Sequence, residues 1–329
     1  TTEIYTLSLH DALPIWKYTS EEIANQINYN IKWTRAVKKD ISKGVKYTYK
    51  SDSIRDCLYR PFITRKLYFD KQLNEMQYQM PSIFPNGQEN IIIAINVRGK
   101  AFNVLASNRL VDLHFNGDSQ CFPFFQYSRP HERVENITDW SLSKFQKHYS
   151  DKGITKESIF HYVYAILHNP TYRTKFEINL KNDFPLIPFY EDYWKWSNLG
   201  KSLMDLHINY EQVAPYPLER EDIDPESNRK AVVPRLLARK DTGKIEVDTL
   251  TTLSGIPPEV WDYRLGTYTA VEWVLERYKE KTPKDPTIRE KFNTYKFAGY
   301  KENVIDLISR VCTVSVETMK IIKQMEKLG

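Results

Sequence analysis

The spacing of apolar residues changes character once, near residue 136, and that change leaves few folds open to the chain. Over residues 47–127, short runs rich in Ile, Val, Phe and Tyr are punctuated by Pro and Gly, which is the pattern of short strands joined by turns. Ile91-Ile92-Ile93-Ala94-Ile95-Asn96-Val97 has the length of one buried strand, with Pro85-Asn86-Gly87 as the turn before it and Arg98-Gly99-Lys100 as the turn after. Residues 110–115 predict a further strand with Leu113 and Phe115 on one face and Asp112 and His114 on the other. The aromatic cluster Cys121-Phe122-Pro123-Phe124-Phe125-Gln126-Tyr127 closes this part as core.

Beyond residue 136 the spacing is helical. Thr155 caps a helix in which Ile159, Phe160, Tyr162, Val163, Ile166 and Leu167 are apolar nearly all round, so it is expected to be buried, and Pro170 stops it. Helices follow over 172–182 and 192–210. Residues 213–234 carry four prolines and read as a long connection. Asp241-Thr242-Gly243-Lys244 then joins two apolar runs as a hairpin, and helical spacing returns over 271–278, 304–311 and 316–325. The expected class is α+β: a β-rich N-terminal module followed by a mostly helical scaffold, a hairpin and C-terminal helices. The segments are a basic helical linker (16–46), a β-rich module (47–135), a helical scaffold (136–212), a loop and hairpin (213–256) and a C-terminal helical region (257–329).

Charge is distributed unevenly. Residues 16–71 hold 13 Lys and Arg against 6 Asp and Glu, whereas residues 72–329 hold 34 of each. The surplus begins in a helix expected over 20–43, which opens with Ser20 and the acidic Glu21 and Glu22 and closes at Gly44. It converges on Leu58-Tyr59-Arg60-Pro61-Phe62 and Thr64-Arg65-Lys66-Leu67-Tyr68-Phe69-Asp70, where cations alternate with aromatics. A solvated basic helix explains such a run as well as a polyanion-facing surface does; charge alone does not separate them.

Residues 1–15, TTEIYTLSLHDALPI, back-translate codon for codon into a short-read sequencing adapter. The expectation is that they are not native protein, that the natural chain begins near Trp16 having lost its N-terminus, and that His10 and Asp11 have no catalytic part.

Several chemistries find no support. Apolar runs fall short of the roughly 20 residues a membrane-spanning helix needs. Cys57, Cys121 and Cys312 lie far apart with no paired Cys-x-x-Cys spacing and indicate neither a disulfide framework nor a zinc ribbon, which fits a reducing cytoplasm and makes the Asn136-Ile137-Thr138 sequon irrelevant. Gly200-Lys201-Ser202 copies the end of a phosphate-binding loop, but Lys195 stands where the first glycine belongs. Asn169-Pro170-Thr171-Tyr172 is close to the turn with which amino-methyltransferases hold a target amine, yet it follows a helix and no glycine-rich cofactor loop precedes it. It reads as a helix stop. His161 and His168 share a helix face without a third ligand, and read as core or surface histidines.

The cation-rich stretch is also the first of a series of blocks that resembles the C-terminal specificity, or target-recognition, domain of type ISP restriction-modification enzymes, and is similar to the tails of type IIG enzymes. The blocks are Leu58-Tyr59-Arg60-Pro61-Phe62, Gln120-Cys121-Phe122-Pro123, Leu167-His168-Asn169-Pro170-Thr171-Tyr172-Arg173, Asp205-Leu206-His207-Ile208-Asn209-Tyr210-Glu211 and Ile256-Pro257-Pro258-Glu259-Val260-Trp261-Asp262-Tyr263, in the expected order. The resemblance implies sequence-specific recognition of double-stranded DNA in the bacterial cytoplasm. Adenine-N6 methylation and cleavage would fall to upstream methyltransferase and helicase-nuclease domains of the same polypeptide. It implies S-adenosylmethionine, ATP and Mg for that parent enzyme and no cofactor or metal in this chain. Arg35, Lys38, Lys39, Lys66 and Lys71 are the expected phosphate contacts; Arg60, Arg65, Arg98 and Arg109 are the expected base or groove contacts. A DNA adenine methyltransferase fragment working with its own residues, and a protein-interaction scaffold, are the alternatives.

Overall fold

A computed structural model describes residues 35–96, 101–129, 132–224, 231–282 and 295–328. Residues 1–15, residues 20–34 of the helix expected over 20–43 and the turn at Arg98-Gly99-Lys100 lie outside them.

Helix α1 (Arg35–Ser42) ends where Gly44 takes a left-handed conformation, φ +71°, and the Val45 N–H closes onto the Asp40 carbonyl at 2.9 Å. Strands β1 (Ile54–Arg60) and β2 (Ile63–Tyr68) form an antiparallel hairpin, and a short helix α2 (Met80–Ile83) follows. Strands β3 (Ile92–Asn96), β4 (Val104–Ser107), β5 (Leu110–Val111), β6 (Ser119–Pro123), β7 (Phe125–Arg129) and β8 (Glu132–Glu135) come next. They make a β2-β1-β5 sheet, a β4-β3-β6 sheet and the β7-β8 ribbon.

Strand β3 is the wall of the molecule. With a period of two, Ile92 and Ala94 enter one hydrophobic core while Ile93 and Ile95 enter a second, and β4 does the same with Leu105 against Val104 and Ala106. A strand buried on both faces reads as a continuous apolar run, which is why residues 91–97 stand out in the sequence.

The second core is completed by helices α3 (Asp139–Tyr149), α4 (Lys156–His168) and α7 (Tyr193–Ile208), with α5 (Pro170–Lys175) and α6 (Glu177–Asn182) between them. Thr155 caps α4 through a capping box with Ser158. Asn169 ends α4 and starts α5, its Oδ1 accepting the Thr171 N–H at 2.9 Å, so the Asn-Pro-Thr-Tyr turn is a helix stop. Helices α4 and α7 touch at Gly200, where an added Cβ would meet the His161 carbonyl oxygen at 1.9 Å. Close helix contact, not phosphate, accounts for the glycine in Gly200-Lys201-Ser202.

The first core takes in β1 and joins it to strands β9 (Glu219–Asp222), β10 (Pro234–Arg239), β11 (Lys244–Asp248) and β12 (Thr251–Ser254), ordered β10-β11-β12-β9. Helix α8 (Glu259–Asp262), the small pair β13 (Arg264–Leu265) and β14 (Tyr268–Thr269), helix α9 (Ala270–Tyr278) and helix α10 (Lys301–Glu326) complete it. The class is α+β, as expected.

Four elements differ from expectation. The connection over 213–234 includes strand β9, which pairs antiparallel with β12. The strand over 110–115 stops at Val111 because the Asp112 carboxylate accepts the His114 N–H (2.9 Å) and its carbonyl the Phe115 N–H (2.9 Å). That turn buries Phe115 and leaves Leu113 half exposed, so the two do not share a face. The helix over 172–182 is two short helices parted at Phe176. The helices over 304–311 and 316–325 are one, because Ser309 and Ser315 return their hydroxyls to the carbonyls of Ile305 and Val311 and remain inside a continuous helix.

Candidate nucleic-acid interface

Pro61 and Phe62 occupy the two-residue turn between β1 and β2. Phe62 is held at φ +61°, a conformation that costs a residue with a side chain about 1 kcal/mol or more. The ring repays this by full burial, edge-on to Tyr210 at 5.2 Å and to His207 at 6.3 Å. The hairpin tip therefore docks into the end of α7, and the Leu-Tyr-Arg-Pro-Phe block meets the Asp-Leu-His-Ile-Asn-Tyr-Glu block.

Polar contacts reinforce that junction. Arg109 donates through Nη1 to Thr64 Oγ1 (2.7 Å) and through Nη2 to Glu211 Oε2 (2.9 Å). Tyr210 Oη lies between Thr64 Oγ1 (2.8 Å) and Glu211 Oε1 (2.9 Å). Burial works against both charges, but the pairing outweighs it: the Arg109 pKa is raised and that of Glu211 is lowered.

Behind the junction lies a buried polar seam. His207 Nδ1 is 2.6 Å from Tyr164 Oη, which accepts the Ala106 N–H, while His207 Nε2 is 2.8 Å from Thr318 Oγ1 and 3.2 Å from Tyr263 Oη. The pattern assigns a tautomer in which Tyr164 donates to Nδ1 and Nε2–H donates outward. Burial lowers the His207 pKa to about 3 and pushes that of neighbouring His168 well below its ordinary value, so both rings are neutral at pH 7.

The nine expected contacts separate into groups. Lys38, Lys39 and Lys71 are exposed and have no ion-pair partner among the described residues. Arg35 is almost fully exposed and reaches Glu75 only at 3.6 Å, a contact that sets α1 beside the turn following Asp70 that carries Lys71. Lys66 pairs across the hairpin with Asp56 at 2.7 Å. Arg60 is 13% exposed, bonded to Asp112 at 2.5 Å and stacked on Tyr59 at 4.1 Å. Arg65 covers the Tyr278 ring at 4.8 Å. Arg109 is in the junction, and Arg98 lies outside the described residues.

The surface beyond Glu211 is of the opposite sign. An open cleft of about 490 Å³ is lined by Glu211, Glu302, Asn303, Asp306, Leu307 and Arg310, which disfavours phosphate. One further cationic surface is built by the β10-β11 ribbon, where Arg235 and Arg239 both bond Glu246. These residues are not among the expected contacts. The signal that marks them is the alternation of buried Leu236, Ile245 and Val247 with charged neighbours on the other face.

A family model described as the Type ISP C-terminal specificity domain matches residues 15–307. No curated protein matches. Among solved structures, a cryoEM structure of a DrdV–DNA complex superposes with a TM-score of 0.88 at 48% identity, covering 97% of this chain and 33% of that one. The ATP-dependent Type ISP restriction-modification enzyme LlaBIII bound to DNA gives 0.77 at 24% identity, over 96% and 21% of the two chains, a likeness of fold. A nuclease-deletion mutant of the Type ISP enzyme LlaGI with a DNA substrate mimic gives 0.72 at 25% identity, over 96% and 29%. The chain thus spans a third or less of the length of each.

Proposed function

The chain belongs to the family of Type ISP C-terminal specificity domains, and from that membership we propose that it binds double-stranded DNA and recognises its sequence on behalf of a restriction-modification enzyme. The observation that carries the reading is the 48% identity over 97% of the chain to a protein solved as a DNA complex. In this reading residues 16–46 are a basic linker from a preceding domain, residues 47–135 face DNA, and the remainder is the frame that holds them. Methylation of adenine and DNA cleavage, with S-adenosylmethionine, ATP and Mg, belong to upstream domains of the parent enzyme. Among the described residues no group of three or more His, Cys, Asp or Glu is placed to hold a metal ion.

The free cations suit phosphate. Lys38, Lys39, Lys71 and the nearly free Arg35 form a positive surface on and beside α1, and each neutralised phosphate releases counterions. Lys66 joins them by leaving an exposed pair that is worth about 1 kcal/mol or less.

The arginines of the hairpin are different. A good base contact supplies about 1–3 kcal/mol of discrimination. Withdrawing Arg60 would surrender a charge-assisted hydrogen bond of about 1.5–3 kcal/mol and its stacking on Tyr59, so the exchange gains little. Arg60 and Arg109 therefore support recognition by fixing the hairpin, with Arg65 on Tyr278 in the same position, while Arg98 is kept as a proposed base contact.

Anisotropy of a labelled duplex titrated with the full chain tests the reading. Binding that weakens with salt supports it, and absence of binding at low salt overturns it.

A further inference from the structure

The β10-β11 ribbon presents a row of side chains to solvent opposite the core-facing Leu236, Ile245 and Val247. Its pairing slips by one residue between Pro234↔Asp248 and Leu237↔Glu246, and Leu236 sits at φ +44° within that bulge. A bulge re-aims side chains. Here Arg235 and Arg239, four residues apart, converge on one carboxylate: Arg235 Nη1 donates to Glu246 Oε2 at 2.6 Å and Arg239 Nε to Glu246 Oε1 at 2.8 Å. Both arginines are about half exposed, at 49% and 50%, while Glu246 is 20% exposed.

Because Arg239 is held through Nε, its Nη1 and Nη2 make no hydrogen bond to the protein among the described residues. Those two groups form the fork that matches paired acceptors such as guanine O6 and N7. The ribbon is also accessible: β10 is an edge strand, and the carboxylates of β9 lie three strands away, roughly 14 Å. β10 and β11 form the edge hairpin of a four-stranded sheet, and strands of a sheet are among the elements that read a DNA groove.

We propose that Arg239 is a base-reading residue of this chain, bonding a guanine edge in the major groove of duplex DNA through Nη1 and Nη2, with Glu246 as its positioning residue. This rests on the DNA-recognition reading above. Glu246 holds the guanidinium in one orientation before DNA arrives, which lowers the entropy lost on contact. Arg235 neutralises the same carboxylate, so the trio presents net positive charge. The Glu246 carboxyl is held below its ordinary range by Arg239 and then Arg235, so it is ionised at neutral pH.

The test is selection from a randomised duplex library with the full chain, its Arg239→Gln and Glu246→Gln variants, and a Lys38→Gln/Lys39→Gln control, each checked for folding by thermal melting. Anisotropy on the duplex enriched by the unsubstituted chain accompanies it. The expected result is a guanine preference at one position that Arg239→Gln abolishes, with about 5- to 100-fold weaker binding to the enriched duplex. Affinity for unrelated duplex should stay within about twofold. Glu246→Gln keeps one acceptor and should blunt the same preference, at that position only, while the lysine control weakens all duplexes alike. Three outcomes overturn the proposal: an unchanged preference in Arg239→Gln; a uniform loss across sequences with a shallower salt slope, which makes Arg239 a phosphate contact; or a preference that survives Glu246→Gln, which removes the positioning role. Each leaves DNA recognition by the chain standing, whereas an unsubstituted chain that enriches no sequence overturns that reading and this assignment together.

Discussion

Arg109 and Glu211 lie 102 residues apart in sequence and 2.9 Å apart in space, joining the hairpin strand β2, through Thr64, to the residues just beyond α7. The pair is partly exposed, 27% and 42%, so solvent screens it. A double-mutant cycle with Arg109→Ala and Glu211→Gln, read by urea unfolding, is expected to give a coupling of about 0.5–1 kcal/mol. Arg109→Ala alone should cost more than Glu211→Gln, since it also removes the donor to Thr64.

Phe62 carries more of the junction than any salt bridge does. Its ring is 1% exposed and meets Tyr210, His207 and Tyr263. Phe62→Ala should destabilise the chain by about 3–5 kcal/mol in urea unfolding. The alanine inherits the strained turn without the packing that compensates for it.

Gly200→Ala reverses the sign expected from helix propensity. In an open helix the change would stabilise by about 1 kcal/mol. Here the new methyl group would stand 1.9 Å from the His161 carbonyl oxygen, so α4 and α7 must separate. Thermal melting should show a loss of stability of about 1–3 kcal/mol or more.

These contacts show how much of the molecule a sequence discloses. Strand β3 and helix α4 are legible because each is a run apolar on nearly every face, of strand length in one case and of helix length in the other. The hairpin of β10 and β11 is legible from its turn. The ends of elements are set by single side chains instead, as where Asp112 stops β5, and periodicity does not see them. The DNA-facing cations divide in the same way. Composition locates the basic surplus, but whether a given arginine is free depends on a partner far along the chain: Asp112 for Arg60, Glu211 for Arg109 and Tyr278 for Arg65. Alternation marks the charged face of the β10-β11 hairpin, but the convergence of Arg235 and Arg239 on Glu246 depends on a one-residue bulge that the alternation does not announce.

The buried histidines make stability depend on pH. His207 has a folded pKa of about 3, against about 6.5 when unfolded, and burial depresses His168 as well. Below pH 6.5 the unfolded chain binds protons that the folded chain excludes. Stability is therefore fully present above that pH and falls as pH drops toward 3, by up to about 1.4 kcal/mol per pH unit for each histidine. Urea unfolding between pH 6.5 and 5 should show this slope. His207→Gln, which does not titrate, should reduce it by one histidine's share.

DNA binding through exposed lysines is tested most directly by the salt dependence of duplex binding by the full chain, compared with a Lys38→Gln/Lys39→Gln/Lys71→Gln variant. The logarithm of the association constant should fall linearly with the logarithm of salt, and the triple substitution should make the slope shallower by about 0.9 per lysine, roughly 2.7 in all, with the melting temperature unchanged. Undetectable or salt-independent binding, or a slope that the three substitutions leave as it was, would contradict it.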